Sequence, residues 1–147
     1  MSTQNGNRVI EVNFGNKFFV DADQTPEKSG IYAICRGKKE NNIWRISKLL
    51  YIGEANNIKV RLTSNHEKKI PCAADAFLNK EELMFFIALV PNHENRELAE
   101  KVLIWKMKPK FNDCGVPHWL DSFLEIDRCK CSGLSTGSGR SKTRPTI

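Results

Sequence analysis

Two runs of β-prone residues, Ile31 to Cys35 and Ile43 to Ile52, flank the polar, turn-rich segment Gly37-Lys38-Lys39-Glu40-Asn41-Asn42. Two such runs around such a segment mark an antiparallel hairpin. A hairpin in mid-chain commits the fold to a sheet that the remaining segments must cover. It also places Tyr32 and Tyr51 on neighbouring strands, within cross-strand reach if the register brings both rings to one face. The register itself stays open, because a slip of one residue sends every side chain to the other face.

The other segments read as cover and support for that sheet. Residues 8–20 hold two short β-prone runs, Arg8-Val9-Ile10-Glu11-Val12 and Lys17-Phe18-Phe19-Val20, around Phe14-Gly15-Asn16, and this pattern predicts an N-terminal hairpin. Residues 54–64 predict a helix with Asn56 or Asn57 as N-cap and a buried stripe of Ile58 and Leu62. A short helix is expected over Asp75 to Leu78. Leu83 to Val90 is a continuous apolar run that suits a central strand buried on both faces. Asn92 caps a further helix that runs to about Lys108, where Pro109 stops it. Trp119 to Ile126 has the pattern of a final amphipathic helix. The expected fold class is therefore α+β, with a small three-stranded antiparallel sheet (31–36, 44–53 and 83–90) flanked by helices. The expected divisions are a lead-in over 1–28, the main domain over 29–112, a packing segment over 113–131 and a basic, disordered tail over 132–147.

A chain of 147 residues with 40% hydrophobic and 27% charged residues is one domain's worth of ordinary globular protein. No apolar run approaches the roughly 20 residues that span a bilayer, and Met1 to Gly6 lacks the apolar core of a signal peptide. An intracellular, cytoplasmic address with no membrane partner is the resulting expectation. The formal charge of +6 is concentrated at the end: Arg128, Lys130, Arg140, Lys142 and Arg144 face no acidic residue after position 127. Such a tail suits a phosphate backbone, where each cation displaces counterions; a solubilising tail has the same composition. Cys114, His118, Cys129 and Cys131 are zinc-ligand types, but their spacing matches no standard zinc site.

Taken in order, Gly30-Ile31-Tyr32, Tyr51-Ile52-Gly53, Arg61, Glu100, Pro109 and Asn112 resemble the GIY-YIG endonuclease family over roughly residues 29–112. Two tripeptides, an arginine ten residues after the second tyrosine and a helix of form Glu-x8-Pro-x2-Asn make the resemblance specific. It implies the fold already read from the pattern. It also implies hydrolysis of DNA phosphodiester bonds with one divalent cation, Mg2+ or Mn2+, per active site. On this resemblance Glu100 is the metal ligand, Arg61 contacts the scissile phosphate, and Tyr32 and Tyr51 share the roles of general base and water positioner. Gly30, Gly53 and Asn112 are then structural or positioning residues. Family members with an assisting histidine place it four residues after the arginine, whereas His66 lies five after Arg61, about 140° away on a regular helix. A break at Thr63-Ser64 would return it to the site.

The helix singles out the glutamate independently. Glu94 belongs to the helix start, where the dipole favours it, and Glu97 has Lys101 four residues on, as on a solvated face. Glu100 has Ile104 and Met107 beside it, and a carboxylate on an apolar flank is costly without a cation or partner. Each residue alone has a plainer reading: a strand tyrosine is usually core and a helix arginine usually solvated. Only their joint order favours a site. The competing functions are a nucleic-acid-binding module without catalysis and a protein-interaction domain on the same fold. Substrate specificity is expected from loops 36–46 and 67–82, from a homodimer, or from the basic tail.

Overall fold

The structure is a computed structural model and describes residues 9–15, 17–64, 66–112 and 129–134. Its centre is an antiparallel sheet of β2 (Gly30–Glu40), β3 (Ile43–Ala55) and β4 (Glu82–Leu89) in the order β3-β2-β4. α1 (Ile58–Thr63) and α2 (Lys69–Leu78) cover one face, and α3 (His93–Met107) covers the other. A separate two-stranded sheet pairs β1 (Ile10–Asn13) in parallel with β5 (Cys129–Ser132). The fold is thus α+β, as the pattern predicts.

Four expectations need correction. The N-terminal hairpin does not form: β1 takes β5 as its partner, and Phe18 and Phe19 instead turn back onto the sheet, with Phe19 bridging Phe85 on the outer edge of β4. Residues 83–90 are not the central strand. β2 holds that position, and β4 is buried because Phe19 shields its edge. The polar segment 37–42 is not a loop, since β2 runs through Glu40 and only Asn41 and Asn42 turn. Both have positive φ, 53° and 63°, the signature of a two-residue type I′ hairpin turn. Residues 69–78, read as mostly loop, form α2. The expected helix at 119–126, the tail beyond Leu134, and Cys114 and His118 lie outside the described residues.

The two faces of the sheet divide the core by strand alternation. Ile31, Ala33, Cys35, Leu49, Ile52, Met84 and Phe86 pack under α3 against its Ala99, Val102 and Leu103. Tyr32, Ile34, Leu50 and Phe85 pack under α1 and α2, against Ile58, Leu62 and Cys72. Register within the hairpin decides what faces what. Counted back from the Asn41–Asn42 turn, a regular ladder would set Tyr32 directly opposite Tyr51. Two register shifts, between Arg36 and Gly37 and between Ile34 and Cys35, leave Ser47 and Leu50 as extra residues on β3. These bulges slide Tyr51 to face Ile34 and bring Gly53 opposite Tyr32. The tyrosines thereby become diagonal neighbours on one face rather than direct partners.

Candidate active site

The open end of the β2–β3 hairpin, where the two helical layers meet, collects the polar side chains singled out from the sequence. Tyr32 is 1% exposed, with its ring lying over Gly53. A Cβ at position 53 would overlap the Cζ and Oη of Tyr32, so glycine is required there to seat the ring. Gly30 serves the backbone instead: a Cβ there would collide with the carbonyl oxygen of Ala88 on β4. The Tyr51 ring lies 6.1 Å from that of Tyr32. Asn112 acts on the outer edge of β3. Its Oδ1 accepts the Ile52 N–H at 2.8 Å and its Nδ2 donates to the Ile52 carbonyl at 3.0 Å. With Lys110 and Phe111 bonding to the carbonyls of Leu49 and Leu50, the segment closes the strand that carries Tyr51.

α1 begins at its N-cap Asn57, whose side chain accepts the Val60 N–H, and ends at Thr63. Arg61 stands exposed near its end, and its charge acts on the Tyr32 hydroxyl. Because the helix stops at Thr63, His66 does not continue its spiral. It turns inward, 2% exposed, and its Nε2 lies 2.7 Å from the Tyr32 hydroxyl, with its ring edge-on to both tyrosines. The backbone N–H of Lys68 donates to Nδ1 at 3.0 Å, so Nδ1 carries no proton. The neutral ring then holds its proton on Nε2 and donates it to the Tyr32 oxygen. Burial, reinforced by Arg61 and Lys69, lowers the His66 pKa to about 4, which keeps the ring neutral near pH 7.

Glu100 reaches the same rim from α3 on the opposite layer, and its charge is felt at both tyrosines. Burial, followed by the neighbouring carboxylate of Glu54, raises its pKa to about 7; the backbone N–H of Glu54 and the charge of Lys101 offset this only in part. Burial also lifts the Tyr32 hydroxyl well above the ordinary tyrosine range, with Tyr51 adding to the rise and Arg61 opposing it. Tyr51 is raised by burial and then by Glu100.

Arg96 and its partner Glu54 at this end were not singled out from the sequence. Arg96, on α3 one turn before Glu100, is 1% exposed. Its Nε donates to Glu54 at 2.9 Å, and its remaining nitrogens reach the Val90 and Pro91 carbonyls at 3.3 and 3.0 Å, Asn56 Oδ1, and His93 Nδ1 at 3.1 Å. The available signal was positional: Arg96, Ala99 and Leu103 share one helix face, and that face is the buried one. Of the basic residues expected to bind nucleic acid, Lys130 lies in β5, and Arg128, Arg140, Lys142 and Arg144 lie outside the described residues.

The fold is a three-stranded antiparallel sheet between helical layers, with Glu100 and Arg61 both acting on the paired strand tyrosines. The model of the GIY-YIG catalytic domain matches residues 28–112, and the chain belongs to that family. It is 29% identical over 90 residues to UvrABC system protein C of Fervidobacterium nodosum, an alignment that covers 61% of this chain and 14% of that protein. The chain thus aligns with only a small part of that relative's length. Two crystal structures of the N-terminal GIY-YIG endonuclease domain of UvrC from Thermotoga maritima are also similar. One is bound to magnesium; the other is a tyrosine-to-phenylalanine point mutant bound to its catalytic divalent cation. Each superposes with a TM-score of 0.42 at 23% identity, covering 63% of this chain and 91% and 90% of theirs. Among the described residues no helix is long and apolar enough to cross a membrane.

Proposed function

We propose that this chain is an endonuclease that hydrolyses DNA phosphodiester bonds at the Tyr32–Glu100 rim with one Mg2+ or Mn2+ ion. The observation that carries the reading is the convergence of Tyr32, Tyr51, Arg61 and His66 from one layer with Glu100 from the other. The residues fit such a cation. Glu100 is a hard oxygen donor whose ionised form is disfavoured by burial and by Glu54, so a positive charge there relieves an existing cost. Magnesium is commonly held by one or two carboxylates together with waters. When bound at Glu100, the cation would offset that carboxylate's field on both tyrosines and stabilise charge on the phosphate and leaving oxygen.

The chain's own groups supply the remainder. Arg61 presents a planar fork to two phosphate oxygens. Tyr32 is the better candidate for the base, because the Nε2–H of His66 donates to its oxygen and the charge of Arg61 opposes the rise in its pKa. Tyr51, beside it on the same face, orients the attacking water. His66 acts through Tyr32. Duplex contact beyond the rim is assigned to the β2–β3 ribbon, with exposed Lys38, Lys39, Arg45 and Lys48, and to the basic tail, with a homodimer as a further source of specificity. The family membership supports the reading.

The test is nicking of supercoiled plasmid and of branched DNA in Mg2+ or Mn2+, then in EDTA. Cleavage that EDTA stops and that Glu100→Gln abolishes, with folding and DNA binding nearly unchanged, is the expected result. Binding without metal-dependent nicking on any substrate would instead support the non-catalytic binding module.

A further inference from the structure

We infer that Arg96 and Glu54 form the outer shell of the cation site at Glu100: positioning residues that aim its carboxylate rather than groups that only hold α3 in place. The inference rests on the metal-dependent reading above and extends it to residues that the motif does not contain.

The geometry begins with burial. An arginine that is 1% exposed loses its hydration, and burying a charge is costly unless its donors are satisfied. Arg96 is satisfied by residues from three places at once: Glu54 and Asn56 at the end of β3, the Val90 and Pro91 carbonyls after β4, and His93 in the first turn of its own helix. These contacts fix both the axial position and the rotation of α3 against the open end of the sheet. Glu100 is four residues further on, and residues four apart lie on one helix face. Whatever fixes the rotation at Arg96 therefore fixes it at Glu100.

Glu54 closes the connection from the strand side. It directly follows Gly53, the residue that seats the Tyr32 ring. Its side chain holds Arg96 against the strand end. The tyrosine side of the rim and the carboxylate side are thus joined through a single residue. Residues that orient a ligating group from outside typically carry 10–100-fold in metal affinity.

The test measures Mn2+ binding by calorimetry on the full chain, alongside circular dichroism and the melting temperature without metal. Arg96→Met and Glu54→Ala are the test variants. Arg36→Met is the control, because it breaks a comparable ion-pair network beside α2. In Glu54→Ala, Arg96 keeps its carbonyl, Asn56 and His93 partners, so this variant reports even if Arg96→Met fails to fold. We expect Mn2+ affinity to fall at least tenfold in Glu54→Ala and in folded Arg96→Met, and to change less than twofold in Arg36→Met at similar loss of melting temperature. Unchanged affinity in Glu54→Ala, or an equal loss in the Arg36→Met control, overturns the inference. If the parent binds no Mn2+, or Glu100→Gln binds it as well as the parent, the metal site at Glu100 is itself wrong and the outer shell falls with it.

Discussion

Asp75 and Glu100 are both largely buried carboxylates on helices packed against the same sheet, yet their acidities move in opposite directions. Asp75 is held below the usual carboxylate range, first by its hydrogen bond from Lys110 and then, against the cost of burial, by Arg36. Lys110 Nζ lies 2.6 Å from its Oδ1, and Arg36 Nε lies 2.7 Å from its Oδ2. Glu81 accepts from the same Arg36 at 2.6 Å and from Ser47. Two cations thus meet two anions, and the network is complete in itself. Glu100 is raised to about 7, and the charge that acts on it most is another carboxylate. A complete network is a fastening; a carboxylate kept short of positive charge in a rim beside tyrosines is a functional candidate.

The comparison breaks most sharply on substitution. Glu100→Gln is expected to lower the cleavage rate at least a thousandfold with little change in melting temperature. Asp75→Asn is expected to do the converse. It leaves Lys110 and Arg36 short of a partner and costs on the order of 3 kcal/mol, as when one member of a buried pair is removed, while cleavage per folded molecule changes little. Plasmid nicking and thermal melts on both proteins check this, and loss of cleavage in both with equal destabilisation would erase the distinction.

Gly53→Ala tests how tightly the rim is built. The added Cβ must displace the Tyr32 ring, an overpacking worth roughly 1–3 kcal/mol, and the movement should also disturb the contact with His66. A lower melting temperature together with a lower rate is expected. A normal rate in a folded protein would show that Tyr32 need not sit where it does.

The third check uses pH. His66 takes up a proton near 6.5 when unfolded but only near 4 when folded. The unfolded state therefore binds more protons in this window, and the native state loses stability as pH falls from 6.5 towards 4. Melting temperatures of the parent and His66→Asn should converge across that window as pH falls, because the substitution removes the titrating group. Parallel curves would mean that His66 is not held neutral. The smallest effect is expected from the tail. Removing residues beyond Leu134 spares β5, which pairs with β1, and deletes Arg140, Lys142 and Arg144. If all three contact phosphates, the salt slope of DNA binding should flatten by about 2 to 3. An unchanged slope would make the tail incidental.

Much of this protein follows from local chemistry. The two β-prone runs around Asn41–Asn42 set the hairpin, Asn57 and Asn92 cap their helices as their side chains allow, and Pro109 closely follows the end of α3. The order of Tyr32, Tyr51, Arg61 and Glu100 was enough to suggest a family, because each is a residue type that a phosphate-cleaving site needs. Strand partnership and register were decided only by packing. The N-terminal run suggests half of a hairpin because pairing with a sequence neighbour closes the shortest loop, whereas β1 finds β5 more than a hundred residues later. The extra residues Ser47 and Leu50 carry no sequence mark of a bulge, yet they bring Gly53 under Tyr32. Arg96 has the same composition whether solvated or buried. Only the meeting of three chain segments around its guanidinium makes it an internal fastening beside Glu100.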